Sequence, residues 1–168
     1  MKVTIEIKKS DIILFNLSIL PRLKSTYIGL LIISLFTFIA IYLEHGIPYS
    51  ASDWGFTLLA SAIGGILGIV FGFIISITYV TLTSSSTNGT LGKHEYTLSE
   101  EGLYEKTIAN ESLNKWAGIS DINVVDNYLF LKISSYLYHI LPKHSFESEA
   151  QFNEFVSLSK SYWKNATN

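Results

Sequence analysis

The stretch WGFTLLASAIGGILGIVFGFIISITYVTL, residues 54–82, decides how this chain is organised. It contains no Asp, Glu, Lys or Arg. As one helix rising 1.5 Å per residue it would run for roughly 42 Å, longer than the ~30 Å hydrocarbon core of a bilayer. Such a helix must tilt or project into the headgroups. Ala60, Gly64, Gly68, Gly72 and Ser76 recur every four positions and lay one shallow groove along a single face. Another helix backbone can approach closely along a groove of that kind.

Upstream lies a second apolar run of 18 residues, Thr26 to Leu43, with Tyr27 and Tyr42 at its ends. Aromatic rings with a polar tip suit the membrane interface. A cleaved signal peptide is disfavoured, because the run begins late, no Ala-x-Ala site follows and a second span comes next. The connection of about ten residues, 44–53, forces the two spans to lie antiparallel and side by side. The small-residue stripe is therefore expected to pack on the first span, with a homodimer or a foreign membrane protein as the sharper alternative. Lys2, Lys8, Lys9, Arg22 and Lys24 precede the first span, the loop carries neither Lys nor Arg, and Lys93 follows the second. The positive-inside rule then predicts both termini in the cytoplasm of a multi-pass inner or plasma membrane protein, with the loop outside. Sequons at Asn16, Asn88, Asn110 and Asn165 fall near or within segments expected to be cytoplasmic and read as chance matches.

The 168 residues are 48% hydrophobic and 15% charged, and the charge is concentrated outside the two runs. Val3 to Ile7 alternates like a strand, Ser10-Asp11 opens a short interfacial helix to Leu20, and Pro21 turns the chain. Beyond the second run, residues 83–92 form a polar tether. Short strands are then predicted at Glu95–Leu98, Leu103–Ile108, Leu113–Trp116, Ile119–Val125, Tyr128–Ile133 and Tyr136–Leu141, spaced as an antiparallel meander. Asp126-Asn127 suits a two-residue hairpin in which both residues tolerate positive φ, and Ser134-Ser135 is a weaker turn of the same length. Ser148-Glu-Ala-Gln151 has the form of a capping box, with Phe152, Phe155, Val156, Tyr162 and Trp163 on one side of the helix it opens. The strand at Val3 to Ile7 is on the same membrane side and is available as a seventh strand.

Chemistry is sparse. With no cysteine there is no disulfide framework, thiolate metal site or thiol nucleophile. His94-Glu95 lacks the second His of a zinc-protease helix, Gly92-Lys93 is not a phosphate loop, and Gly64-Gly65-x-x-Gly68 is a packing stripe. His139 falls in a predicted strand and reads as a satisfied sheet residue. Glu44, His45 and Asp53 in the loop read as solvated rather than as a cation site. Neither span carries an ionisable residue, which argues against a proton relay or ion carrier. No catalytic residue, cofactor or metal is expected. Residues 93–168 sum to seven Lys against ten acidic residues, a net charge of minus three, so neither nucleic acid nor a strongly anionic lipid surface is an expected partner.

The ordered set Ser10-Asp11 with Phe15, the paired spans, Glu100-Glu101-Gly102-Leu103, Trp116 with Ile119, and Leu141-Pro142-Lys143-His144-Ser145-Phe146 resembles the YcxB-like membrane proteins. Leu141 and His144 stand where that family's Ile-Pro-Lys-Arg-x-Phe signature has Ile and Arg. The resemblance implies two spans plus a C-terminal pleckstrin-homology-like domain, about seven strands closed by a terminal helix, and implies little about activity. The expected fold is an integral membrane α-helical hairpin plus a small α+β cytoplasmic domain. It divides into 1–25, a cytoplasmic strand and interfacial segment; 26–43 and 54–82, the spans around the outward loop 44–53; 83–92, the tether; and 93–168, the domain. Lys143 and His144 read as the turn into the last helix, and alternatively as a small cationic patch for a partner. Two functions remain: a non-enzymatic interaction protein binding through its spans or its domain, and an inner-membrane immunity protein neutralising a membrane-active or pore-forming toxin. The bilayer and a protein partner, such as that toxin, or a second copy of the chain are the expected partners.

Overall fold

A computed structural model describes residues 1–134 and 137–167. Strand β1 is Lys2–Ile7, followed by helices α1 (Lys9–Ile19), α2 (Lys24–His45) and α3 (Ala51–Thr83). Strands β2 (Gly92–Leu98), β3 (Gly102–Lys106), β4 (Glu111–Lys115), β5 (Asp121–Val125), β6 (Tyr128–Lys132) and β7 (Tyr138–Pro142) come next, and helix α4 (Glu149–Thr167) ends the chain. The fold has two compact units: residues 1–12 with 82–168, and residues 13–81.

The first unit is an α+β domain of two antiparallel sheets, one ordered β1-β2-β3-β4 and one ordered β5-β6-β7. Val3, Ile5 and Ile7 alternate inward along β1, and Ile7 is the register partner of Gly92 across to β2. The domain therefore extends beyond the expected 93–168: its first strand precedes both long helices, and its second follows them. Strand β4 runs Glu111–Lys115, a 3-10 turn at Trp116–Gly118 takes Trp116, the expected last residue of that strand, and β5 opens at Asp121 rather than at the expected Ile119. Trp116 is 1% exposed and its Nε1 donates to Ser99 O at 2.8 Å, which satisfies its one polar atom in the core. Gly102 pairs with Lys115, and a Cβ there would overlap the Asn114 carbonyl oxygen, a physical reason for glycine in Glu100-Glu101-Gly102-Leu103.

At Asp126-Asn127 the hairpin forms with Val125 opposite Tyr128, but only Asp126 takes positive φ, at 52°. The β6–β7 connection is longer than the two residues expected, since Lys132 pairs with Tyr138 and Ile133 N donates to Leu137 O at 2.9 Å. Ser135 and Tyr136, on which the expected turn and strand start fall, lie outside the described residues. Ser148 caps α4 through its hydroxyl, accepting from Gln151 N at 3.1 Å. The Gln151 side chain reaches back one residue further than in a standard capping box, to Glu147 N at 2.9 Å. Phe152 and Phe155 are buried, and Phe146 meets both rings edge-on at 5.1 and 5.6 Å. Trp163 Nε1 donates to Ile119 O at 2.7 Å, fixing the far end of α4.

The second unit holds α2 and α3, both long and apolar enough to cross a membrane. Both helices exceed the expected spans. Ser50 and Asp53 cap each other's backbone N–H reciprocally, at 3.1 and 3.0 Å, so α3 begins at Ala51 and Asp53 is a capping residue rather than a cation ligand. Gly46, at φ 77°, ends α2 with its N–H on Tyr42 O at 2.9 Å. The non-helical loop is residues 46–50.

Candidate functional site: a histidine–glutamate cavity in the two-sheet domain

β2 and β3 run side by side in register, with Glu95 opposite Lys106 and Tyr96 opposite Glu105. Alternation along β2 turns His94 and Tyr96 inward, and Glu105 on β3 reaches both. Its Oε1 lies 2.8 Å from His94 Nδ1 and accepts the Tyr96 hydroxyl at 2.7 Å. Across the sandwich, β7 brings His139 Nδ1 to 3.6 Å from Glu105 Oε2, and His139 Nε2 stands 3.0 Å from the Asn114 side-chain amide nitrogen on β4. His94 and His139 are buried and the Glu105 side chain is 13% exposed.

Burial by itself would raise the Glu105 carboxyl, but hydrogen bonds from His139, His94 and the Tyr96 hydroxyl outweigh it and hold the group well below the usual carboxylate range. Burial, reinforced by Glu105, pushes the Tyr96 hydroxyl well above its ordinary value, so it remains a donor. An ionised carboxylate only accepts, which assigns protons to Nδ1 of both imidazoles. His139 Nε2 is then an acceptor for Asn114, while His94 Nε2 is buried with no hydrogen-bond partner among the described residues. These groups line a cavity of about 410 Å³. Among the described residues no group of three or more His, Asp or Glu is arranged to hold a metal ion.

The residues singled out from the sequence lie elsewhere. Lys143 and His144 sit on the 3-10 turn Lys143–Ser145, and both are engaged inside the domain. Lys143 Nζ pairs with Glu149 at 2.6 Å and stands 5.9 Å above the Phe152 ring. His144 Nε2 lies 3.0 Å from Asp11 Oδ1, an atom that also accepts the Tyr128 hydroxyl at 2.9 Å, while Asp11 Oδ2 accepts Lys8 N at 2.8 Å. Asp11 is 1% exposed, so Ser10-Asp11 and Leu141–Phe146, 130 residues apart in sequence, meet at one buried carboxylate. Burial first, then Asp11, raises the Tyr128 hydroxyl to about 12.

Of the small-residue stripe, Gly64 and Gly68 face α2: a Cβ on either would sit 2.8 Å from Thr37 or Ile33 atoms. Gly65, one position off the stripe, is the tightest point, where a Cβ would overlap Ser34 Oγ and lie 3.1 Å from Leu30 O. Gly72 has nothing within 4 Å, and Ala60 is exposed. Ser76 is half-buried. The His94–Glu105–His139 constellation was missed because its members lie on three strands of two sheets, and only inward alternation of His94 and His139 hinted at it.

The fold and site define a class: an α+β domain that carries an apolar helical hairpin between its first two strands. Residues 98–159, from the end of β2 into α4, match the family model described as YcxB-like protein. No curated protein and no solved structure matches the chain.

Proposed function

We propose that the protein is a non-enzymatic, membrane-anchored interaction protein in which a pleckstrin-homology-like domain is held at the cytoplasmic face by two membrane spans. The observation that carries this reading is the register pair Ile7 and Gly92. One strand leads out to the hairpin and its neighbour receives the chain back, so two spans that leave and return at adjacent strands keep the N-terminal strand and the C-terminal domain on one side. Basic residues before α2 and a loop without Lys or Arg support the cytoplasm as that side. Apolar side chains all round α2 and α3, such as Leu31 at 70%, Phe36 at 68% and Phe71 at 64% exposure, are stable against lipid and costly against water. The four-plus-three strand arrangement closed by a C-terminal helix supports the pleckstrin-homology-like reading. A carboxylate held as strongly ionised as Glu105 is a poor general base near neutral pH, which favours binding over acid–base catalysis at the cavity.

The chain has no cysteine, so introduced thiols are unambiguous. Tyr49→Cys, at a 94% exposed position in the loop, is expected to react with an impermeant maleimide in intact cells, and Lys160→Cys on α4 only after permeabilisation. Labelling of Lys160→Cys from outside would overturn the reading. Protection from a membrane-active toxin that depended on Gly72 and survived loss of the domain would replace it with recognition inside the membrane.

A further inference from the structure

We propose that the cavity between the two sheets binds an amphiphilic ligand through an ammonium head group. This deepens the reading above by giving the soluble domain a small ligand of its own, and it rests on that reading only for where the ligand is met.

The hydrogen-bonding capacity left unspent in the cavity is acceptor capacity. Glu105 is the ionised group among the lining side chains, and its longest contact, 3.6 Å to His139, leaves Oε2 the least satisfied of its oxygens. His94 adds a buried Nε2 without a partner among the described residues. Asn114 turns its amide nitrogen to His139, which leaves its carbonyl oxygen as a further acceptor. Buried acceptors without donors are costly, so a donor-bearing ligand is favoured and an anionic head is repelled by Glu105. The Tyr138 ring face already receives the Lys132 ammonium at 5.8 Å, which leaves the carboxylate as the seat for a cationic head.

The rest of the lining lies at one end of the sandwich and is largely apolar, with Thr90, Asn110 and Ser112 as its polar members. Ile7, Ile12 and Ile140 form buried walls, while Leu137 and Asn110 are exposed at the rim. Gly89 and Thr90, from the segment that returns from α3, also line the cavity. A Cβ on Gly89 would lie 3.0 Å from Thr107 Oγ1, so this segment closes on the β3–β4 turn. The cavity thus opens where the chain leaves for α1 and comes back from α3, and about 410 Å³ is within the range of small-molecule sites. A polar acceptor floor between isoleucine walls fits a short amphiphile with its ammonium inward. An aminophospholipid head group and a soluble alkylamine share that chemistry.

The test uses the full chain, isotope-labelled on histidine, in detergent micelles, titrated with butylammonium, butanol and butyl phosphate while the imidazole nitrogens are followed by NMR. Butylammonium is expected to shift His94 and His139 saturably and to leave His45, in the other unit, unmoved, with an affinity at least ~10-fold above that of butanol or butyl phosphate. Glu105→Gln should weaken it at least ~10-fold. Because that variant perturbs a buried network, Thr90→Phe serves as the second: it fills the cavity from the segment that returns from α3, where Thr90 is half-buried, and that segment supplies none of the Glu105 partners His94, Tyr96 and His139. Competition with phosphatidylethanolamine vesicles, absent with phosphatidylglycerol vesicles, assigns the natural source to a lipid, and no competition by either assigns it to a soluble amine. Equal binding of butyl phosphate, or binding unchanged by both variants, would overturn the proposal. Failure here with the expected thiol labelling leaves the anchored-domain reading standing, and the reverse pattern removes the anchor while keeping the ligand.

Discussion

Replacing Glu105 by Gln is expected to destabilise the two-sheet domain by about 3–5 kcal/mol at neutral pH. Gln offers one carbonyl oxygen where the carboxylate offers two. With that oxygen at the Oε1 position, the bonds from His94 at 2.8 Å and Tyr96 at 2.7 Å survive as neutral ones, at a loss of ~1 kcal/mol each. The amide NH2 then faces His139 Nδ1, donor against donor, and a buried donor left unmet costs a further ~1–3 kcal/mol. The total agrees with the range for breaking a buried charge network by removing one partner. The pH dependence follows from the direction of the Glu105 shift. A carboxyl lower in the folded than in the unfolded state contributes fully above the ordinary Glu value of ~4.3, and the contribution is lost as pH falls toward the folded value. The stability gap between the native chain and Glu105→Gln is therefore expected to be complete at pH 7 and smaller at pH 3. Guanidinium unfolding of the full chain in detergent, followed by near-UV circular dichroism from Trp116 and Trp163, measures it. A gap below ~1 kcal/mol at pH 7, or one that does not change by pH 3, would refute the assignment of an ionised, hydrogen-bonded Glu105.

The hairpin gives a second prediction: the Cβ built on Gly64 lies 3.2 Å from Thr37 Cβ, close to the ~3.8 Å of a disulfide, so Thr37→Cys with Gly64→Cys should oxidise to an intramolecular bridge. Adding Gly65→Ala should slow that oxidation several-fold by pushing α2 and α3 apart, whereas Gly72→Ala should leave it unchanged; equal rates would show that Gly65 is not the contact point. At the buried Asp11, Asp11→Ala is expected to cost about 3 kcal/mol, as for the loss of a buried charged acceptor with three donors. The Tyr128 hydroxyl, raised to about 12, should then fall back toward its ordinary value in an NMR titration of labelled tyrosine, leaving only the effect of burial. His144→Arg should keep the native stability, since a guanidinium reaches the same carboxylate and remains charged; a loss comparable to Asp11→Ala would show that the imidazole itself is required.

The sequence by itself determined the two apolar helices, the strands of the C-terminal domain and the amphipathic last helix. Each is a local pattern: charge-free runs long enough for a bilayer, period-two alternation between turn residues, and a cap followed by aromatics at helical spacing. The YcxB-like resemblance was legible for the same reason, as a succession of short motifs. Helix ends were less legible, because Ser50 with Asp53 and Gly46 act through backbone hydrogen bonds that hydropathy does not register. What only the tertiary structure decided is which residues meet. β1 joins β2 across the whole hairpin, Asp11 meets His144, and Glu105 gathers His94 and His139 from two sheets. Those contacts join residues from 11 to 133 positions apart, and they depend on strand register and sheet stacking, which no local period encodes. The same is true of Gly65. Its place in the seam is set by the rotation of α3 against α2, so the tightest contact fell one residue away from the four-residue repeat that marked the stripe.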